Sequence, residues 1–396
     1  MSLELNQVTT IFLAIALLVL GMVLTRRVGF LKKFCIPAPV VGGLLFALFA
    51  TLFKSLGWLH ITLDTSLQSL FMLTFFTTIG LGASFKLIKL GGKLLVVYWL
   101  ACGFLALAQT TIGVSMAYLF DLHPLIGMMA GAVSMEGGHG AATAFGQTVE
   151  ELGINSALSI GVAAATFGLV AGGLVGGPIV KHLISKHDLK PSETAVGSHF
   201  TLDENEKPIH TDTFFTQLVI ITFCMALGTY LGELFSTATG FVLPGYVGAM
   251  FLAVIVRNII DKFNPKIVDM KSIGLVSDVT LGIFLSMALM SIKLWEVADL
   301  ALPLLVIVFV QVVFIVLFGI FVLFRLLGKD YDAAVMVAGF TGHGLGATPN
   351  AMANMAAVTE RFGPSTKAFL IVPIVGAFLI DVFAIPIIIT TINLFQ

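Results

Sequence analysis

Ten long apolar stretches separated by polar loops set the limits on what this chain can fold into. They cover residues 8–24, 35–53, 65–83, 94–120, 155–180, 214–232, 241–256, 273–292, 300–324 and 368–392. At about 1.5 Å rise per residue, a helix needs roughly 17 to 25 apolar residues to cross a bilayer, so only 241–256 is marginal. With 58% hydrophobic residues, 11% charged and mean hydropathy +1.04, the chain cannot hide its apolar surface in a soluble core. It reads as a polytopic membrane protein whose standing partner is the lipid bilayer.

Other features narrow the class. The net charge of −1 and the lack of a basic patch argue against nucleic acid. Cys35, Cys102 and Cys224 are odd in number, far apart and in apolar context, which points to inert buried thiols rather than disulfides or a metal site. The N-terminus lacks the basic region of a signal peptide, and Arg26-Arg27 follows the first stretch, so that stretch is expected to be a retained helix.

Two further apolar segments, 124–149 and 333–358, are too short for two crossings and too rich in glycine for one good helix. Each fits a re-entrant hairpin that dips to mid-membrane and returns. They carry Ser134-Met-Glu-Gly-Gly-His-Gly140 and Thr341-Gly-His-Gly-Leu-Gly-Ala-Thr-Pro-Asn350. Backbone broken at membrane depth must face a cavity rather than lipid, and such breaks mark binding sites in secondary transporters.

Charge placement gives an orientation. With the N-terminus outside, 19 of the 21 Lys and Arg fall on the cytoplasmic side, leaving Lys54 and Lys293 outside. The halves also echo each other: Pro37 answers Pro244, Ala130-Gly131 answers Ala338-Gly339, His139 answers His343, and Pro178 answers Pro386. Five crossings per half is an odd number, so the second half is expected to lie upside down relative to the first. The expected fold is all-α: an inverted repeat of five transmembrane helices plus one re-entrant hairpin each, giving ten spans and two hairpins. Residues 1–180 form the first repeat, 181–213 a cytoplasmic linker, and 214–396 the second repeat. Both termini lie outside, and the hairpin tips meet near the midplane.

Several runs carry a resemblance: Ile-Pro-Ala-Pro-Val-Val-Gly-Gly at 36–43, Gly-Gly-His-Gly at 137–140, Ala-Thr-Phe-Gly-Leu-Val at 165–170, Leu-Trp-Glu at 294–296, Gly-Leu-Gly-Ala-Thr-Pro at 344–349 and Glu-Arg-Phe-Gly-Pro-Ser at 360–365. Through these, over essentially its full length, the chain resembles the bacterial sodium/glutamate symporters of the ESS family. The resemblance implies sodium-coupled uptake of L-glutamate, an anionic amino acid, across the bacterial inner membrane. It also implies Na+ as coupling ion, no organic cofactor and a homodimer. Carboxylate transporters with paired hairpins suggest, by analogy, an elevator mechanism.

The residues fit an anionic cargo in an unusual way. No Lys or Arg lies inside a span or hairpin, so helix N-termini, each worth roughly half a positive charge, must substitute. Ser134, Thr143, Thr341, Thr348, Asn350 and Asn354 add side-chain donors, and Gly137, Gly138, Gly140, Gly342, Gly344 and Gly346 permit close approach. His139 and His343 either donate to the cargo or the hairpin backbone or are satisfied buried imidazoles; a zinc site needs more ligands than these two. Asp381 and Asp278, the acids within spans, are candidates to hold sodium or an amino group. Glu136 departs from the small polar residue that the resemblance implies there; it either pairs with an amino group, binds a cation, carries a proton or faces water. A glutamate beside a proposed anion site keeps open a sodium- or proton-coupled transporter of another carboxylate.

Competing classes have weaker support. A channel needs a continuous polar lining. A Ser134–His139 pair suggests an intramembrane hydrolase only on paper, since no G-x-S-x-G or H-E-x-x-H accompanies it. Gln109 and Gln311 fit interhelical hydrogen bonds in two long helices suited to a scaffold and dimer face, and Gly172–Gly177 fits close packing. Trp58 and Trp295 suit an aromatic belt. Arg257, at a cytoplasmic helix end, either snorkels or swings inward to a carboxylate.

Overall fold

The computed structural model describes residues 2–33, 36–191, 209–241, 243–292 and 300–396. Cys35, Lys207 with the 192–208 part of the linker, Lys293 and the Leu-Trp-Glu run at 294–296 lie outside the described residues. In chain order come β1 (Ser2–Leu5), α1 (Gln7–Arg27), α2 (Gly29–Lys33), α3 (Ala38–Ser55), β2 (His60–Leu63), α4 (Gln68–Gly82) and α5 (Lys86–Leu119). Next are α6 (Pro124–Met128), which runs into a π turn over Met129–Val133, then α7 (Gly138–Glu151) and α8 (Ala157–His187). After these lie α9 (Thr211–Thr239), α10 (Gly245–Phe263), α11 (Met270–Met290), α12 (Ala301–Phe318) and α13 (Phe324–Leu326). The last part holds α14 (Tyr331–Gly344), α15 (Thr348–Phe362), α16 (Thr366–Ile374), a π turn over Val375–Leu379 and α17 (Asp381–Phe395).

Side-chain caps fix several starts. Asn6 accepts from Thr9 N at 3.0 Å, and Asp330 accepts from Ala333 N at 2.7 Å, each satisfying an orphan N–H of a first turn. Among the described residues seven helices are long and apolar enough to cross a membrane: α1, α3, α5 from Gly92, α8, α9, α11 and the helix from Ala301 to Leu326. Gln68–Gly82, Pro124–Val133 and Asp381–Phe395 are shorter apolar helices. The stretch expected at 368–392 is therefore divided by its π turn, and α10, at 241–256, carries Arg257, Asp261 and Lys262 near its end.

One departure from an all-α chain is a small parallel ribbon, with Ser2 opposite His60 and Leu5 opposite Leu63. Strands of four residues with no turn between them leave no periodic signal to read.

The helices pack as two groups. In one, α1 lies on α3, α9 on α10, α3 on α11 and α10 on α4. Glycines set these approaches: a Cβ on Gly42 would stand 2.0 Å from Leu17 O, and one on Gly80 would stand 2.3 Å from Met250 O. In the other group α5, α8, α12, α16 and α17 surround the two broken segments. The contact pattern places α5 and α12 against the two broken segments. Gln109 and Gln311 explain this: Gln109 Nε2 donates to Gly344 O at 2.6 Å, and Gln311 Nε2 donates to Gln109 O at 2.9 Å.

The α4–α5 connection joins the groups covalently and is held by the end of α10. Asn258 accepts from Phe85 N at 2.9 Å and donates to Ala83 O at 2.8 Å, while Ser84 and Lys86 both bond Asp261. Arg257 pairs with Asp261 at 3.1 Å and donates to Leu81 O at 3.0 Å, so it is engaged at this end of the molecule.

Candidate functional site

Helix α8 is the axis on which the site is built. Along it, Gly161 meets Met129 and Ala142, Gly168 meets Met135, and Thr166 meets His139. The segment from α6 therefore climbs α8 as far as Gly168, and α7 descends again. The second broken segment comes from the other end of α8. Asn354 Nδ2 donates to Gly172 O at 3.1 Å, Asn350 Nδ2 donates to Leu169 O at 3.2 Å, and Leu345 O faces Gly168. α14 and α15 lie antiparallel, joined at their base by Tyr331 OH to Gly363 O at 2.5 Å.

The two tips touch at the middle of α8. Gly138 has φ of +59°, and a Cβ there would lie 2.7 Å from Gly346 O. Glycine is the residue that combines a left-handed backbone with this approach. Gly168 is equally constrained, since its Cβ would lie 2.8 Å from Leu345 O.

Beside the tips lies a cavity of about 610 Å³ between the two helix groups. Glu136, Gly137, Gly138, His139, Gly140, His343, Thr348 and Asn350 line it, with Asp278 from α11 and Asp381 from α17. These ten sequence-predicted residues come together. The first turns of α7, Gly138–Gly140, and of α15, Thr348–Asn350, border it; in α15 Pro349 has no N–H and Asn350 N donates to Ala347 O at 3.0 Å, so the positive end of α7 is the freer of the two. Among the described residues no Lys or Arg is in the lining, whereas three carboxylates are.

The remaining predicted residues serve the hairpins instead. Ser134 donates to Met129 O and to Gly161 O, the latter at 2.8 Å, so it ties the first tip to α8. It makes no pair with His139, and the drawn hydrolase dyad is not formed. Thr341 bonds Val337 O within its own helix at 2.9 Å. Thr143 is fully buried. Gly342 packs on Ala351, Gly344 on Leu105 and Ile315, and Gly346 on Leu169 and Asn350. Asn354 binds Gly172 O and Ala338 O, one turn or more below the cavity lining. Each lies near a tip in sequence but is absent from the cavity lining.

Each imidazole is anchored through Nε2 to a threonine. Thr166 gives its hydroxyl proton to Val162 O at 2.9 Å, so His139 Nε2–H donates to Thr166 Oγ1 at 3.0 Å. Thr348 likewise donates to Gly376 O at 2.7 Å and accepts from His343 Nε2 at 3.2 Å. That leaves His343 Nδ1 to accept from Tyr98 OH at 3.3 Å. Among the described residues no group of three or more His, Cys, Asp or Glu is placed to hold a metal ion.

Thr166, Gly168, Tyr98, Ser277 and Gly376 were not singled out as site residues. Thr166 and Gly168 lie in the 165–170 run, whose spacing says nothing about two loops converging on it. Tyr98 and Gly376 carry no local signal at all.

Helices of this apolarity, packed around an internal cavity whose largely apolar wall carries three carboxylates, define a polytopic membrane protein. The sodium/glutamate symporter family model matches residues 3–364. The chain is 42% identical over 385 residues to a sodium/glutamate symporter of Escherichia coli, covering 96% of this chain and 95% of that one. A Haemophilus influenzae sodium/glutamate symporter is 41% identical over 387 residues, covering 96% of each. Among solved structures, a sodium proton antiporter of Methanocaldococcus jannaschii aligns over 98% of this chain and 97% of its own, at 15% identity and a TM-score of 0.46. The chain belongs to the sodium/glutamate symporter family. It is a membrane transporter and not an enzyme, as its relatives are symporters.

Proposed function

We propose that this protein carries L-glutamate inward across a bacterial inner membrane, driven by sodium, with the cargo held where the two hairpin tips meet. The observation that carries this reading is the cavity itself: two helix N-termini, Asn350 and Thr348 face it together with Asp278 and Asp381. The N-termini supply partial positive charge and N–H donors to carboxylates. The aspartates supply oxygens for sodium, whose charge offsets part of the cargo's.

The inverted repeat accounts for the packing. α3 on α11 mirrors α10 on α4, and α1 on α3 mirrors α9 on α10. Each broken segment is then a re-entrant hairpin entering from its own side, ten helices span the bilayer, and both termini lie outside. Alternating access follows if the hairpin group slides as an elevator against the group of α1, α3, α4, α9, α10 and α11. The family resemblance adds a homodimer.

Proteoliposomes with an imposed inward sodium gradient are expected to accumulate radiolabelled L-glutamate, and equal potassium is expected to give none. Accumulation under potassium or a proton gradient alone sinks sodium coupling. Failure under every gradient sinks the cargo and moves the second reading, another carboxylate, to the front. Glu136 in the cavity wall is what favours that alternative.

A further inference from the structure

Glu136 is a carboxylate that the cavity does nothing to hold. It is 7% exposed, and neither Oε1 nor Oε2 has a hydrogen-bond partner. Both oxygens are sealed from a water-sized sphere, which leaves no place beside them for an ammonium group or for the shell of oxygens a hard cation requires. A proton needs no such room. An ionised carboxylate buried without a partner is strongly disfavoured.

The neighbours give it no relief. Asp381 on α17 lies within its field, as do Tyr98 and Cys102 on α5. Asp278 on α11, His139 on α7 and His343 on α14 share the lining, and the faces given by α1, α3, α4 and α8 are apolar. Both imidazoles have their Nε2 committed to threonines. An anion entering this space is faced by Asp278 and Asp381, with Glu136 sealed in the wall behind them, and by no basic side chain among the described residues.

We propose that Glu136 is a proton-binding site of this transporter, filled together with the anionic cargo. The cargo enters when Glu136 carries its proton, and by reciprocity, at a pH where the empty site has given that proton up, cargo binding draws one from solution onto Glu136. Only a proton moves; Glu136 passes from carboxylate to carboxylic acid and back. The inference rests on the reading that the cavity holds an anionic amino acid.

The test uses the full chain in proteoliposomes under a fixed sodium gradient, with the KM for L-glutamate measured from about pH 6 to about pH 9, above the ordinary carboxylate range. The expected result is a KM that rises with pH, by at most about ten-fold per unit for one linked proton. Glu136→Gln, a neutral mimic, is expected to transport with a flat profile. In weak buffer with a pH indicator, solubilised wild type is expected to take up a proton when glutamate is added, and Glu136→Gln is not. A flat wild-type profile without proton uptake, or an unchanged profile in Glu136→Gln, overturns the proposal while the glutamate reading stands. If Glu136→Gln does not fold, proton uptake by the wild type decides alone. If the wild type neither binds nor accumulates glutamate, the cargo reading fails; infrared spectra then decide, a titrating carboxylic-acid band sensitive to D2O supporting the site and the lack of one overturning it.

Discussion

Asn350 and Asn354 show how one turn of helix separates a cavity-lining residue from one buried in the packing. Both lie on α15 and both donate to carbonyls of α8, Leu169 O and Gly172 O, but only Asn350 lines the cavity. Removing either side chain gives up a hydrogen bond to a carbonyl that α8 already engages in its own ladder, at a cost of roughly 0.5–1.5 kcal/mol. Asn350→Ala is therefore expected to raise the KM for glutamate by about ten-fold or more, because Leu169 O and the tip lose their mutual position. Asn354→Ala is expected to lower the melting temperature while the folded fraction keeps its KM. Uptake kinetics beside thermal melts check both, and an unchanged KM in Asn350→Ala contradicts the placement.

At the scale of elements, α8 acts as the ruler against which both hairpins are set. Its glycines are not equivalent. A Cβ on Gly168 would stand 2.8 Å from Leu345 O and 2.9 Å from Met135 Sδ, whereas one on Gly177 meets nothing within 4 Å. Alanine raises helix propensity at either site by roughly 1 kcal/mol. At Gly168 that gain is exceeded by overpacking of about 1–3 kcal/mol, and the strain falls on both tips at once. Gly168→Ala is expected to reduce sodium-driven uptake about ten-fold or more, and Gly177→Ala to leave it unchanged or raise the melting temperature. Equal behaviour of the two variants in the same uptake and melting assays argues against α8 as the ruler. The expectation that the 172–177 glycines serve packing holds for Gly172 and Gly176, which admit Asn350 and Asn354, but not for Gly177.

For the whole molecule, the decisive question is whether the two helix groups move against each other. Their faces meet across the cavity, where a Cβ on Gly140 would lie 3.6 Å from Phe75 and 3.7 Å from Leu281. Gly140→Cys with Leu281→Cys sets two thiols on facing positions across this contact, within reach of an oxidant or a short bifunctional thiol cross-linker. The described native cysteines, Cys102 and Cys224, are buried. Oxidation is expected to stop glutamate uptake and reduction to restore it. Full uptake by the cross-linked protein means the groups do not slide.

The sequence by itself determined the apolar helices, the places where the two inner segments break, and the membership of Glu136, His139, Asn350, Asp278 and Asp381 in a common site. These follow from local rules: apolar length, helix breakers and ionisable groups set among apolar neighbours. Only the tertiary structure decided that Gly168 and Thr166 of α8 receive the tips, that Tyr98 and Gly376 complete His343 and Thr348, and that α5 and α12 pack with the hairpins. It also turned Ser134, Thr341 and Asn354 away from the cavity. The physical reason is that contacts between residues far apart in the chain leave no periodicity behind them. A glycine required by a carbonyl on another helix looks, in the sequence, like any other glycine.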